Sequence, residues 1–193
     1  MKNKPIVVIA PTEAEIGPFR RLAVPGIHLW ITGVGTIGAA LNTMQAIVKF
    51  DPRLIILGGI AGAYAGSGLA IGDTVLVGTE TTADMGAFRG DGFHPKFGTR
   101  LTCPHTARYP LFPTVHSNSV NCAGAPFIRT DGIQIENMEG AGFFHACLIT
   151  DTPFLELRTV SNIVGADRAE WDIEGAALAL SGSLNLLIHE IEA

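Results

Sequence analysis

Residues 54–63 read LIILGGIAGA, a run of apolar residues in which glycines begin after the fourth position. The part at 54–57 is uniformly apolar, which is typical of a strand that is covered on both faces. Glycines at the carboxyl end of a central strand let a ligand approach the backbone, whose N–H groups can hydrogen-bond to it. The same glycines are also compatible with a crowded turn. We therefore expect a central strand that ends either at a ligand site or at a tight turn.

Strand and helix patterns alternate on both sides of this run. Apolar segments predict further strands at 6–10, 27–32, 74–77 and 154–160, and helical periodicity predicts helices at 36–50, 138–149 and 174–191. This alternation indicates an α/β layered fold. A chain of 193 residues suits a single compact domain, 1–193.

Residues 88–126 depart from the pattern. They contain four glycines and five prolines and show no clear period. A loop of this length is typical of a binding loop or a disordered segment. We therefore treat 88–126 as an irregular insert in the single domain.

The composition narrows the class of protein. Acidic residues outnumber basic ones by 18 to 13, for a formal net charge of −5, so no basic nucleic-acid-binding surface is expected. The uncharged stretch 54–72 contains six glycines, which fits a buried strand and turn better than a membrane-spanning helix. The apolar run that follows the first five residues is too short for a signal peptide, and three cysteines without CxxC spacing favour reduced thiols. These features predict a cytoplasmic protein that does not bind a membrane.

Residues 33–38, GVGTIG, match the GxGxxG pattern between a predicted strand and a predicted helix. A dinucleotide site also requires an acid at the end of the next strand, and here that strand ends in Gly58-Gly59. A dinucleotide-binding module and close packing of helix on strand both remain interpretations of these glycines. The six histidines form no HExxH or HxH group, and GxSxG is absent, so neither a metal site nor a serine nucleophile is expected.

Five segments occur in an order that resembles the nucleoside phosphorylase and nucleosidase superfamily, which includes methylthioadenosine/S-adenosylhomocysteine nucleosidase. They are PIVVIAPTEAEIGPF, TGVGTIGAA, LIILGGIAGAY followed by GLAIGDTVLV, ENMEGAGFFHAC and PFLELRTVSNIVG. Within the superfamily, NMEGAG, SNIVG and ADRAEW are most similar to the futalosine hydrolases of the menaquinone pathway.

The resemblance implies a three-layer α/β/α sandwich around a mixed, mostly parallel central sheet. It also implies hydrolysis of futalosine to hypoxanthine and dehypoxanthinylfutalosine without a cofactor, by a homodimer or higher homo-oligomer. The alternatives are a related purine nucleosidase, a purine nucleoside phosphorylase, or a module that only binds a dinucleotide or a nucleoside.

Cleavage of an N-glycosidic bond builds positive charge on the ribose and negative charge on the leaving base, so the site needs an activated nucleophile and contacts to both parts. Glu15 lies at the position of the family's catalytic carboxylate, which deprotonates the attacking water. As a helix first-turn acid, Glu15 would have only a structural role. Glu13 is expected to be a surface or capping acid.

The resemblance assigns the ribose contacts to the NMEGAG segment. Glu139 is expected to accept hydrogen bonds from the ribose hydroxyls, and Met138 either packs against the sugar or fills the core. Related nucleosidases often have a glutamate at the position of Asn137, and this chain departs from them there.

Asn162 stands where adenine-releasing nucleosidases have an aspartate. A carboxamide offers an acceptor and a donor, so it can accept from a protonated N7 and donate to a 6-oxo group, which selects hypoxanthine or guanine over adenine. Alternatively, Asn162 is a turn residue. Arg158 is expected to pair with a site carboxylate, and Ser161 to hold the water or Asn162.

Several further positions complete the expected site. The pair Phe127-Ile128 resembles the residues that lie against the purine in nucleosidases, although Phe127 is also compatible with a core position. Thr12, Ala61 and Gly62 are expected to line a pocket for water.

Hydrolysis is favoured over phosphorolysis, because Leu57 replaces the arginine that phosphorylases use to bind phosphate. The 5′ arm of futalosine carries a benzoate, and the arginines available for it in the insert are Arg89, Arg100 and Arg108.

Overall fold

The fold was determined from a computed structural model that describes residues 4–96 and 98–193. Residues 1–3, which precede the short apolar run used for the signal-peptide expectation, lie outside the described part. The strands are β1 (Ile6–Ala10), β2 (Ile27–Ile31), β3 (Leu54–Ala63), β4 (Thr74–Thr82), β5 (Gly86–Arg89), β6 (Gly92–Pro95), β7 (Arg100–Thr102), β8 (Thr114–Ser119), β9 (Ile135–Asn137) and β10 (Phe154–Ile163). The helices are α1 (Glu13–Arg21), α2 (Thr36–Phe50), α3 (Gly140–Ile149) and α4 (Ile173–Glu192), with 3₁₀ turns at Thr106–Arg108 and Arg168–Glu170.

The central sheet runs in the order β10-β4-β8-β9-β3-β1-β2, and β7 pairs with β4. A further pairing of β10 with β3 closes part of the sheet into a ring. The pairs β1–β2, β1–β3, β10–β3, β4–β8 and β8–β9 are parallel, whereas β10–β4, β3–β9 and β4–β7 are antiparallel. The expectation of a mixed, mostly parallel sheet is confirmed.

Helices cover both faces of this sheet. Helices α1 and α4 pack on each other and on β3, and α2 and α3 pack on each other on the opposite face. The core between these layers is built from β1, β3 and the first half of β10, whose apolar side chains are almost fully buried. Strands buried on both faces need continuous apolar runs, which explains why 6–10 and 54–57 lack alternation. No helix in the described residues is long and apolar enough to span a membrane.

The insert at 88–126 is more ordered than its sequence indicates. It contains most of the hairpin β5–β6, the edge strand β7 and the central strand β8. Strand β8 reads TVHSNS, and its buried Ser117, Asn118 and Ser119 face other polar side chains. Because the usual apolar periodicity is absent from such a strand, the sequence pattern does not reveal it.

Candidate active site

A cavity of about 350 Å³ opens at the carboxyl ends of β1, β3 and β10. The carboxyl edge of a parallel sheet is the usual ligand site of open α/β folds. Most of the site residues expected from the sequence line this cavity: Glu15, Ala61, Gly62, Asn137, Met138, Glu139, Ser161 and Asn162, together with Thr12. The structure therefore brings together residues from segments that are far apart in the chain.

Glu15 lies in the first turn of α1 and is 6% exposed. Its carboxylate accepts hydrogen bonds from the Thr12 hydroxyl at 2.8 Å and from the Ile60 N–H at 3.1 Å. Burial raises the pKa of the Glu15 carboxyl, whereas these two hydrogen bonds oppose the increase. A buried carboxylate with a raised pKa and a ligand cavity in front of it is suited to act as a base.

Glu139 joins the glycine-rich loop to the cavity. Its carboxylate accepts from the Gly35 N–H at 3.1 Å and from Arg158 Nη1 at 3.2 Å. Gly35 has a φ of 96°, a conformation that favours glycine. A loop N–H of the kind that a pyrophosphate would need is thus occupied by a carboxylate, so Gly35 of the GxGxxG pattern positions Glu139.

Asn137 connects the cavity wall to the residues beneath it. Its Oδ1 accepts from the backbone N–H groups of Glu139 and Gly140 at 2.9 and 2.7 Å and from Arg158 Nη2 at 3.0 Å. Its Nδ2 donates to Glu80 at 2.6 Å and to Ser117 at 2.9 Å. The polar atoms of this side chain are fully engaged, so Asn137 supports Glu139 and has no hydrogen-bonding group left for a ligand.

Arg158 lies beneath the cavity and is fully buried. It donates to Glu156 at 2.7 Å, in addition to its bonds to Glu139 and Asn137. Gly59 makes room for it, because a Cβ at that position would collide with the guanidinium. Arg158 therefore pairs with the site carboxylate of Glu139, as expected from the sequence. It does so from beneath the cavity and does not itself line the wall.

Asn162 enters the cavity because β10 carries a bulge. The register with β3 shifts between Val160 and Asn162, so Ser161 is an extra residue and both Ser161 and Asn162 line the cavity. Ser161 Oγ donates to Asn162 Oδ1 at 2.8 Å, and Asn162 Nδ2 donates to the Ile163 carbonyl at 3.2 Å. These contacts orient the carboxamide and leave one lone pair and one N–H for a ligand.

Glu136 is a cavity residue that the sequence reasoning missed. It pairs with Gly62 on one side of β3, while Asn162 pairs with Gly62 on the other, so the two polar side chains flank the glycine. The Glu136 carboxylate accepts from the Tyr64 hydroxyl at 2.9 Å and the Gly124 N–H at 2.7 Å. Its position next to Asn137 in the segment ENMEG was the available signal.

Two further buried glutamates lie below the site, Glu80 on β4 and Glu156 on β10. Glu80 accepts from Asn137 and from Ser119 Oγ at 2.7 Å. Burial, followed by the charge of Glu156, raises the pKa of Glu80 to about 8, and burial also raises the pKa of Glu156. The pair therefore retains a proton at neutral pH and adds less negative charge beneath Glu139 than two carboxylates would.

The pair Phe127-Ile128, expected at the purine, is placed elsewhere. Neither Phe127 nor Ile128 is part of the cavity wall. Phe127 packs against Phe88 and Phe93 of the β5–β6 hairpin, with ring centroids 5.1 and 4.7 Å apart, and Ile128 belongs to a small apolar cluster with Tyr64. The hairpin, which the sequence did not reveal, provides the aromatic surface against which Phe127 packs.

The arginines of the insert are also absent from the cavity wall. Arg89 is on the hairpin, Arg100 on the edge strand β7 and Arg108 on a 3₁₀ turn, and none of them lines the wall. The insert contributes Val120 and Ala123 instead. The cavity side chains that the sequence analysis did not single out include Arg168 and Trp171, from the segment between β10 and α4.

Comparisons with known proteins place this site in context. The futalosine hydrolase of Thermus thermophilus is 30% identical over 217 aligned positions that cover 95% of each chain. That of Streptomyces coelicolor is 34% identical over 191 positions, covering 87% of this chain and 81% of the relative. No family model matches the chain.

Among solved structures, the 5′-methylthioadenosine/S-adenosylhomocysteine nucleosidase of Neisseria meningitidis in complex with methylthio-immucillin-A superimposes with a TM-score of 0.77. It is 22% identical and covers 96% of this chain and 98% of its own. The three-layer α/β/α fold expected from the sequence is confirmed.

Proposed function

The chain belongs to the futalosine hydrolase family, and from this premise we propose that it hydrolyses futalosine to hypoxanthine and dehypoxanthinylfutalosine in menaquinone biosynthesis. The enzyme is an N-glycosyl hydrolase, and its substrate is a small-molecule purine nucleoside. The observation that carries the proposal is the convergence of Glu15, Glu139 and Asn162, each at most 6% exposed, on one cavity.

In the proposed mechanism, Glu15 accepts a proton from a water molecule while the water oxygen attacks the anomeric carbon of the ribose. The bond between that carbon and the purine nitrogen breaks, and its electron pair leaves with the base. Fixed hydrogen bonds from Thr12 and Ile60 hold the carboxylate in place, so it does not need to reorganise during the reaction.

Glu139 accepts hydrogen bonds from the ribose hydroxyls, and Met138 packs beside the sugar. The Gly35 N–H and Arg158 hold the two carboxylate oxygens from the far side, which leaves lone pairs of the same oxygens directed at the cavity. The positive charge that develops on the ribose is stabilised by the nearby carboxylates.

Asn162 binds the departing base. As the bond breaks, N7 of the base takes up a proton from solvent in the cavity; the Asn162 oxygen accepts from the resulting N7–H and its amide donates to the 6-oxo group, so the negative charge that builds up on the base during cleavage is stabilised. Ser161 keeps the carboxamide in the orientation that suits a 6-oxopurine.

Water is favoured over phosphate as the nucleophile. Leu57, at the position where phosphorylases have an arginine, is fully buried in the core. The backbone N–H of Ile60 is already bonded to the Glu15 carboxylate, which would repel a phosphate dianion.

The proposed assembly is a homodimer. One face of α2 exposes Ile37, Leu41 and Val48 by 77%, 61% and 80%, and Val34, at the same end, lines the cavity while being 58% exposed. An exposed apolar stripe that is continuous with the cavity rim suits a second copy of the chain.

A cytoplasmic location is supported by the free thiols of Cys103, Cys122 and Cys147.

The test is chromatographic measurement of free base from futalosine, inosine and methylthioadenosine, each with and without phosphate. We expect hypoxanthine from futalosine, little adenine from methylthioadenosine, and no increase in rate on addition of phosphate. Dependence on phosphate would instead identify a phosphorylase, and ligand binding without release of a base would identify a binding protein.

A further inference from the structure

The rim of the cavity carries a cation that the mechanism above does not use. Of the arginines and lysines in the described residues, Arg168 lines the cavity wall, whereas Arg158 lies beneath it. Arg168 is exposed, in contrast to the buried Glu15, Glu136 and Glu139. The cavity therefore has a negative interior and a positive rim.

The guanidinium of Arg168 is held by an aromatic ring. Its central carbon lies 4.3 Å from the ring centroid of Trp171, which also lines the cavity. Trp171 Nε1 donates to the Ala166 carbonyl at 3.3 Å, which helps to fix the indole plane. A guanidinium that stacks through its face keeps its N–H groups free at the edge, where they can bind a carboxylate through two parallel hydrogen bonds.

Arg168 forms no ion pair within the described part of the chain. The ion pairs found there involve Lys4, Arg20, Arg53, His94 and Arg158, and none of them includes Arg168. A ligand anion placed deep in the cavity would be repelled by three carboxylates, so the rim is where such a group is stabilised.

We propose that Arg168, stacked on Trp171, binds the carboxylate at the end of the substrate's 5′ substituent and thereby selects nucleosides whose 5′ arm is anionic. This inference rests on the proposed function, since the benzoate of futalosine supplies that carboxylate. The Trp171 ring provides an apolar surface for the aromatic part of the same arm.

The experiment measures whether the contribution of the ligand carboxyl group to binding affinity depends on the Arg168 side chain. Futalosine and an analogue that has hydrogen in place of the carboxyl group are titrated by calorimetry into Glu15→Gln and into Glu15→Gln/Arg168→Gln. In the Glu15→Gln background, Arg168→Gln should weaken futalosine binding about 10-fold or more, because a charge-assisted hydrogen bond is lost, and should leave binding of the analogue within about 2-fold. Arg108→Gln, an exposed arginine on the other 3₁₀ turn, is the matched control and should change neither affinity.

Arg168→Lys should recover part of the affinity, and futalosine binding should weaken with added salt while analogue binding stays constant. Equal loss of affinity for both ligands, or no loss for either, would overturn the role of Arg168. To test phosphate as the anion, inosine 5′-monophosphate is compared with inosine; a preference for the monophosphate that depends on Arg168, with unchanged futalosine binding, would also overturn it. Failure of the proposed function has a separate signature, the absence of hypoxanthine release by the unmodified protein.

Discussion

The carboxylate of Glu15 lies 2.8 Å from the hydroxyl of Thr12, the residue that caps helix α1. The same hydroxyl oxygen accepts from the Glu15 backbone N–H at 3.3 Å. The cap of the helix and the proposed base are thus one hydrogen-bonded unit. This arrangement lets a helix terminus present a buried carboxylate to the cavity with a defined orientation.

Glu15→Gln should abolish most of the turnover, since a carboxamide cannot take a proton from water. We expect a loss in kcat of about 10²- to 10⁴-fold, the usual contribution of a general base, with little change in the affinity for ligand. Hypoxanthine release and calorimetric binding measure the two properties separately. Near-normal turnover would show that another group activates the water.

Thr12→Val should shift the acid limb of the kcat/KM profile to higher pH. The proposed base must be ionised, so activity falls as the pH drops through the pKa of Glu15. The hydroxyl lowers that pKa, and its removal therefore raises it. Thr12→Ser keeps the hydroxyl and serves as the control. An acid limb that is the same in both variants would contradict this link.

Asn162→Asp should change the preferred base. A carboxylate beside the Ile163 carbonyl loses the amide donor to a 6-oxo group, and when protonated it can donate to N7 instead. The ratio of hypoxanthine to adenine release from paired 6-oxo and 6-amino substrates should fall about 100-fold, in line with mispairing at buried polar groups. An unchanged ratio would remove Asn162 from base selection.

Glu80→Gln should make the protein less sensitive to alkaline pH. In the folded protein the pKa of Glu80 is about 8, above the ordinary 4.5, so the folded state binds the extra proton. Stability therefore declines as the pH rises from the ordinary value towards 8. Glutamine resembles the protonated acid and removes this contribution. The difference in melting temperature, variant minus unmodified protein, should therefore increase as the pH is raised from about 5 to about 8. These two values are close to the ordinary pKa of a glutamate and the raised pKa of Glu80.

A constant difference in melting temperature across that range would show that Glu80 does not carry the proton. Asp131→Asn, an exposed acid in the loop before β9, is the control and should give a flat difference.

Ile37→Lys together with Leu41→Glu should separate the proposed dimer. Charges in the centre of an apolar interface are costly to desolvate, so the molar mass from light scattering should halve. Leu178→Lys on α4, 54% exposed in the structure, is the matched control and should leave the mass unchanged. A dimer that survives the double substitution would place the interface elsewhere.

The sequence predicts the fold correctly in segments whose burial against the core imposes an apolar pattern on their residues. The segment at 36–50 forms α2 as expected, and 54–57 forms the first part of β3, which continues to Ala63 because its glycines fit between neighbouring strands. The placement of Glu15 and Asn162 at the cavity was predictable, since both lie in motifs that the family resemblance identifies, and their roles stay predictions.

The remaining parts of the site depend on contacts between distant segments. The hydrogen bond from Asn137 to Glu80 joins residues that are 57 positions apart in the chain. The bulge at Ser161 is defined by how β10 pairs with β3, which the sequence of β10 alone does not show. The central strand β8 was missed because its inward side chains bond to this polar network, which leaves no apolar period to detect.

The short contact between Asn137 and Glu80 has an evolutionary consequence. A glutamate in place of Asn137 would add a third acid to the buried Glu80–Glu156 pair and remove the amide donor that now meets Glu80 at 2.6 Å. The two positions should therefore covary: lineages that carry the acidic form at the first should have exchanged Glu80 for a neutral or donating residue.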